Sequence, residues 1–141
     1  MGVSPKADLR VGNFSVLPWE DQYFDVVVDI FALYANTLPV IYSTLAEIAR
    51  VLKPDGVFYT KLWGPNTTGY GSGHEIEPNT FDAITSGPGS GMGVIHFFDR
   101  EEIDRLFGAL FTPIAIDMIS RSDVAANQHL EEFHCQFRKK C

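Results

Sequence analysis

The chain has 141 residues, 45% hydrophobic and 21% charged, with 11 phenylalanines, which fits one globular domain with a real core. Its longest apolar run is far below the roughly 20 residues of a membrane helix, and Met1 to Arg10 holds no apolar stretch of signal-peptide type, so a cytoplasmic location is expected. A net charge of −7 repels phosphate backbones and argues against nucleic acid as a partner; the basic run Arg138-Lys139-Lys140 reads as a solvated tail.

In chain order, Val11 to Leu17 is a short apolar segment bounded by turns, and Trp19 to Gln22 reads as a loop. Phe24 to Ile30 is a β-branched run, continuously apolar from Val26 to Val28, the pattern of a parallel strand buried on both faces. A helix follows, with Thr37 as its N-cap, Pro39 in the first turn and an apolar stripe of Ile41, Leu45, Ile48, Ala49 and Leu52. Pro54 and Asp55-Gly56 end it, and Val57 to Trp63 is a second strand. Strand, helix and strand make a βαβ unit with a right-handed crossover.

Residues 64–93 hold eight of the twelve glycines together with Pro65, Pro78 and Pro88, and read as one long loop with a turn of helix at Asn79 to Ile84. A second helix starts at Asp99, which forms an Asp-x-x-Glu cap with Glu102 and precedes the stripe Ile103, Leu106, Phe107 and Leu110. Phe111 to Ser120 and Leu130 to Phe137 are joined by a polar turn without a helix, so they pair as an antiparallel hairpin. The fold class is therefore α/β: two parallel strands, a C-terminal antiparallel hairpin and flanking helices. Cys135 and Cys141 form no disulfide framework, and His134 and Cys135, adjacent on a strand, point to opposite faces, so no metal site is expected.

Three stretches carry a resemblance. Gly12-Asn13-Phe14-Ser15-Val16-Leu17-Pro18-Trp19, then Phe24-Asp25-Val26-Val27-Val28, then Glu47-Ile48-Ala49-Arg50-Val51-Leu52-Lys53-Pro54-Asp55-Gly56 resemble the type 11 group of class I S-adenosylmethionine-dependent methyltransferases. That family has a seven-stranded sheet in the order 3-2-1-4-5-7-6. The resemblance implies that Val26 lies on the fourth strand, Val57 on the fifth, Ile114 on the sixth and Leu130 on the seventh, so the chain corresponds to the C-terminal half of the fold. The glycine-rich turn after the family's first strand has no counterpart; Gly71-Ser72-Gly73 and the glycines from Gly87 to Gly93 follow the fifth strand instead.

The resemblance implies S-adenosylmethionine as cofactor and methyl transfer to a small-molecule acceptor once the missing half is supplied, or else a non-catalytic module of the same fold. It places Asn13 and Phe14 at the adenine, and Asp29 and Tyr34 at the methyl-donor pocket. Asn13 equally reads as a turn residue, and Asp29 as a cap after its strand. His74, Glu75 and His96, in and after the long loop, are candidate substrate-side bases and equally surface residues. With no strand outside it, Val26 to Val28 is an open sheet edge, which predicts a homodimer or another chain covering it.

Overall fold

The structure, a computed structural model, describes residues 7–140. Cys141 and the first part of the segment read for a leader lie outside the described residues. The chain runs β1 (Phe24–Ile30), α1 (Leu38–Val51), β2 (Leu52–Trp63), β3 (His74–Glu77), β4 (Thr80–Asp82), β5 (Ile95–His96), α2 (Arg100–Gly108), β6 (Phe111–Asp123) and β7 (Gln128–Lys139). The main sheet has the order β1-β2-β7-β6. β1 and β2 are parallel, and β7 is antiparallel to both β2 and β6. This is the 4-5-7-6 order that the resemblance implies, and the α/β class with a closing hairpin is observed.

One face of this sheet carries the core. On β2, Phe58, Thr60 and Leu62 are fully buried, while Val57, Tyr59 and Lys61 between them are half-buried. Register extends that division across the sheet: Val27, Phe58 and Phe137 stand in line, as do Thr60, Cys135 and Ile116. Both helices pack on this face. Ile41, Leu45 and Ile48 of α1 and Ile103, Leu106 and Phe107 of α2 belong to one buried cluster. Phe58, Phe107, Phe111 and Phe137 interlock there, with ring centroids 5.1–6.3 Å apart. Each such ring contributes roughly 1.5–3 kcal/mol of burial.

The other face is open along β1: Val26, Val28 and Ile30 are 52%, 60% and 48% exposed. The expectation of a strand buried on both faces is therefore corrected. Among the described residues β1 pairs only with β2, so nothing covers its outer edge or its second face.

Local chemistry explains the other departures. Thr37 makes no side-chain cap; the Leu38 N–H is accepted by Glu77 Oε2 at 3.2 Å instead. After α1 the left-handed residue is Asp55, at φ 63°, rather than Gly56. Residues 64–93 are not a bare loop. They carry the β3–β4 hairpin, which pairs with β5 in a second, three-stranded sheet. The turn of helix expected at Asn79 to Ile84 is absent; Thr80–Asp82 within it is strand. Asn79 adopts φ 59° and its N–H is accepted by Glu75 Oε1 at 3.1 Å, a turn that sends Thr80 and Phe81 back as β4. Gly64 is required where the segment leaves β2: a Cβ there would stand 2.1 Å from Glu131 Oε1. As predicted, Asp99 caps α2, accepting the Glu102 N–H at 2.8 Å.

The small sheet sits at the carboxyl end of β1. Glu77 of β3 reaches the start of α1, and the His96 N–H of β5 donates to the Tyr34 carbonyl at 2.8 Å. In open α/β sheets that end is where ligands bind.

Candidate functional site

A groove of about 380 Å³ runs along the open edge of β1. Phe14, Leu17 and Trp19 form one wall, β1 the floor, and Thr44, Ile48 and Val51 of α1 the far side. Its lining is apolar and aromatic except for Asp29 and Thr44, and the Thr44 hydroxyl is turned to the Val40 carbonyl of its own helix at 2.7 Å.

Asp29 stands at the carboxyl end of β1, where the chain leaves the sheet. Its Oδ1 accepts the Leu33 N–H at 2.9 Å and its Oδ2 accepts the Thr60 hydroxyl at 2.7 Å. Burial pushes the Asp29 carboxyl above its ordinary value, and the hydrogen bonds from Thr60 and the backbone partly oppose that. The carboxylate therefore holds the turn that follows β1, with Phe31 at φ 53°, as a cap.

The Phe14 wall is tied to α1 by two side chains of the Glu-x-x-Arg stretch. Arg50 donates to the carbonyls of Leu17 (3.1 Å) and Trp19 (2.9 Å), to Asp21 Oδ1 (2.9 Å), and to Glu47 at 2.6 and 3.0 Å. Glu47 Oε1 in turn accepts the Leu17 N–H at 2.9 Å. The hydrogen bond with Arg50 holds the Glu47 carboxyl below the usual range, and Glu47 with Asp21 holds the guanidinium above its own. Trp19 rests edge-on against Phe24 at 5.2 Å, with the Arg10 guanidinium 5.1 Å over its ring.

Of the residues singled out in the sequence, Phe14 and Asp29 line this groove, and Asn13 lies next to Phe14 outside its lining. Asn13 is exposed; its Oδ1 accepts the Ser15 N–H at 2.9 Å and its carbonyl the Val16 N–H at 3.0 Å, a compact turn that presents Phe14 at 44% exposure. Tyr34 lies in the core instead, 1% exposed between Phe31 and Trp63, and burial pushes its phenol to about 12. The other three divide. His74 is open to solvent and 3.3 Å from Asp82; Glu75 is exposed and braces the Asn79 turn.

His96 is not a surface residue. It is fully buried, with Nδ1 2.7 Å from the Thr80 hydroxyl, Nε2 2.5 Å from Glu102 Oε1, and its ring edge-on to Phe98. It joins the small sheet to α2 and is out of reach of a substrate in this conformation. Sequence reasoning missed Thr60, Trp19 and the Glu47–Arg50 pair. The Glu-x-x-Arg spacing was the available signal for the last, since it puts both side chains on one helix face. Among the described residues no group of three or more His, Cys, Asp or Glu side chains is placed to hold a metal ion, and no helix is long and apolar enough to cross a membrane.

Comparison with known proteins agrees with this fold. Residues 2–60 match the model of the methyltransferase domain family. Over 63 residues the chain is 41% identical to a sterol 24-C-methyltransferase of Gibberella zeae, a match that spans 44% of this chain and 16% of that enzyme. An S-adenosylmethionine-dependent methyltransferase of Methanosarcina mazei superposes with a TM-score of 0.71 at 23% identity, over 92% of this chain and 66% of its own. The 1,6-didemethyltoxoflavin-N1-methyltransferase of Burkholderia thailandensis, solved with bound 1,6-didemethyltoxoflavin and S-adenosylhomocysteine, superposes with a TM-score of 0.63 at 22% identity, over 91% and 48%. The chain thus spans about a sixth of the curated relative and under two thirds of these structures. At these identities the superpositions establish the fold, and the matched segment carries the sequence likeness. Residues 2–60 are thus similar to the methyltransferase domain family, and the chain shares the fold of S-adenosylmethionine-dependent methyltransferases of known structure.

Proposed function

We propose that this chain works as part of an S-adenosylmethionine-dependent methyltransferase for a small-molecule acceptor, completed by a polypeptide that covers β1. The carrying observation is the groove at the carboxyl end of β1, with Phe14 exposed on its wall and Asn13 beside it. An aromatic ring fits this lining: Phe14 offers a face for packing, and the exposed Asn13 amide oxygen, which accepts the Ser15 N–H, has a second lone pair that can accept from an exocyclic amino group. The adenine end of the cofactor therefore suits the residues present. Its ribose and amino-acid ends would take their partners from the completing polypeptide, because both Asp29 oxygens already serve Leu33 and Thr60. When bound, the cofactor supplies an electrophilic methyl group.

The residues of this chain would then orient and exclude water. Trp19, Leu17 and Ile48 make a dry wall, and the small sheet stands over the carboxyl end of the strands on the acceptor side. If the acceptor must lose a proton, His74 beside Asp82 is the reachable base of the three candidates, since Glu75 supports a turn and His96 is buried. The named activity of the sterol relative favours an apolar acceptor of lipid type.

The completing polypeptide would be a second copy, another chain or further sequence of the same protein. Val26, Val28 and Ile30 on the open face, and the unpaired edge of β1, are the surface it would cover. A monodisperse monomer by sedimentation at micromolar concentration would count strongly against the second copy. A second reading, a non-catalytic module of the fold, is favoured by one observation: the groove offers no uncommitted carboxylate for a ribose diol.

Calorimetric titration with S-adenosylhomocysteine separates the two. The proposal expects saturable one-site binding that Asn13→Ala and Phe14→Ala weaken. No heat up to millimolar ligand, with the chain alone and as an oligomer, would support the non-catalytic module.

A further inference from the structure

We infer that Glu47 and Arg50 form a latch that positions the Phe14–Trp19 wall of the groove, a role that draws on the proposed function only for what occupies the groove. Apart from Arg10, whose guanidinium donates to the Pro18 carbonyl and lies over the Trp19 ring, the start of the wall has little of its own to hold it. Residues 9–16 include Leu9, Val11 and Val16 at 74%, 104% and 70% exposure, and the only ladder contact there is the Asn13–Val16 bridge. From Leu17 to Tyr23, by contrast, the backbone is gathered onto the end of α1. Arg50 takes the carbonyls of Leu17 and Trp19 with its two terminal nitrogens, Glu47 takes the Leu17 N–H, and the Arg50 and Val51 carbonyls accept the N–H groups of Gln22 and Tyr23 at 2.9 and 2.8 Å.

The geometry is specific to a guanidinium. One planar group donates to two carbonyls and two carboxylates at once, and Glu47 holds its Nε and Nη2 in register at 2.6 and 3.0 Å. A lysine has a single nitrogen with three N–H donors and cannot reproduce the five contacts that Arg50 makes from three nitrogens. Neither Glu47 nor Arg50 lines the groove, so both act through the wall and are positioning residues. Fixing that wall before a ligand arrives removes the ordering cost from binding. The latch joins a surface segment to one helix end and touches none of the interlocked phenylalanines, so its loss loosens the wall and leaves the core.

Trp19 reports this directly. The chain has two tryptophans, and the other, Trp63, is buried at 6% exposure. Acrylamide quenching of fluorescence is measured on the whole chain as wild type, Arg50→Met, Arg50→Lys and Glu47→Gln, with circular-dichroism melts alongside. Arg50→Met and Arg50→Lys are expected to raise the quenching constant by about twofold or more while the far-ultraviolet spectrum stays native. Glu47→Gln, whose amide oxygen still accepts the Leu17 N–H, changes it less. A purely structural role would lower the melting temperature and leave quenching of the folded protein unchanged. Equal quenching in wild type and Arg50→Lys overturns the latch; Arg50→Lys also decides the matter if Arg50→Met does not fold.

S-adenosylhomocysteine titration of the same proteins separates the two ideas. Binding by wild type that weakens about tenfold in Arg50→Lys supports both. No binding by wild type sinks the proposed function, and the quenching result still decides the latch.

Discussion

Replacing Thr60 by valine keeps the shape of a fully buried side chain and deletes one hydroxyl, the donor to Asp29 Oδ2 at 2.7 Å. The Leu33 N–H still serves Oδ1. A buried hydrogen bond to a charged group is worth about 1.5–3 kcal/mol, so at neutral pH the unfolded fraction should rise roughly 10- to 100-fold. The pH dependence carries a definite sign. Asp29 has a folded pKa above 3.8, so its contribution to stability is fully present below the unfolded value and is lost as pH rises through the folded one. Thr60 opposes that rise, so Thr60→Val pushes the folded value higher and extends the window of falling stability upward. A protonated Asp29 makes only a neutral hydrogen bond with Thr60, worth about 0.5–1.5 kcal/mol, so the penalty should shrink by about half in acid. Urea unfolding of wild type and Thr60→Val at about pH 4 and about pH 7.5 measures both penalties. A penalty that is equal at the two values, or absent at the higher one, refutes the assignment of Asp29 as an anionic cap.

Three further outcomes are expected. His96→Leu leaves the buried Glu102 carboxylate with only Arg105, 3.8 Å away, and should cost about 3–5 kcal/mol, while His96→Gln, which keeps a donor, costs less; chemical denaturation compares them. Gly64→Ala forces the Glu131 carboxylate from Asn66, to which it is bonded at 2.8 Å, and should destabilise by about 1–3 kcal/mol by the same assay. Burial pushes the Cys135 thiol to about 12, so in a Cys141→Ser background a disulfide reagent at mildly alkaline pH should find no thiol until the chain unfolds.

Periodicity made the main sheet legible. The β-branched run at Val26 to Val28, the stripe Ile41-Leu45-Ile48, and two strands joined by a polar turn fixed element types, and the resemblance supplied their order. What escaped the sequence depends on contacts between distant residues. The Leu38 N–H is capped by Glu77, 39 positions on, which no local signal announces. Residues 64–93 looked like a loop because glycine and proline dominate them. The strands within are four residues or fewer, too short for alternation to register, and are set by Asn79 turning left-handed and by pairing with β5. His96 sits beside a helix cap in sequence, and only the fold shows Thr80 and Glu102 closing around it. In the candidate site, motif positions singled out Asn13, Phe14 and Asp29, of which Phe14 and Asp29 line the groove. Tyr34 shares that spacing, but its ring turns inward to Trp63.

The central claim is that the groove between the Phe14–Trp19 wall and β1 receives the cofactor. Amide chemical-shift mapping on the isotopically labelled chain during titration with S-adenosylhomocysteine tests it most directly. The account predicts saturable shifts concentrated at residues 13–19, 26–33 and 44–51, and their loss in Phe14→Ala. Shifts confined to β3, β4 and β5, or none at millimolar ligand, would contradict it.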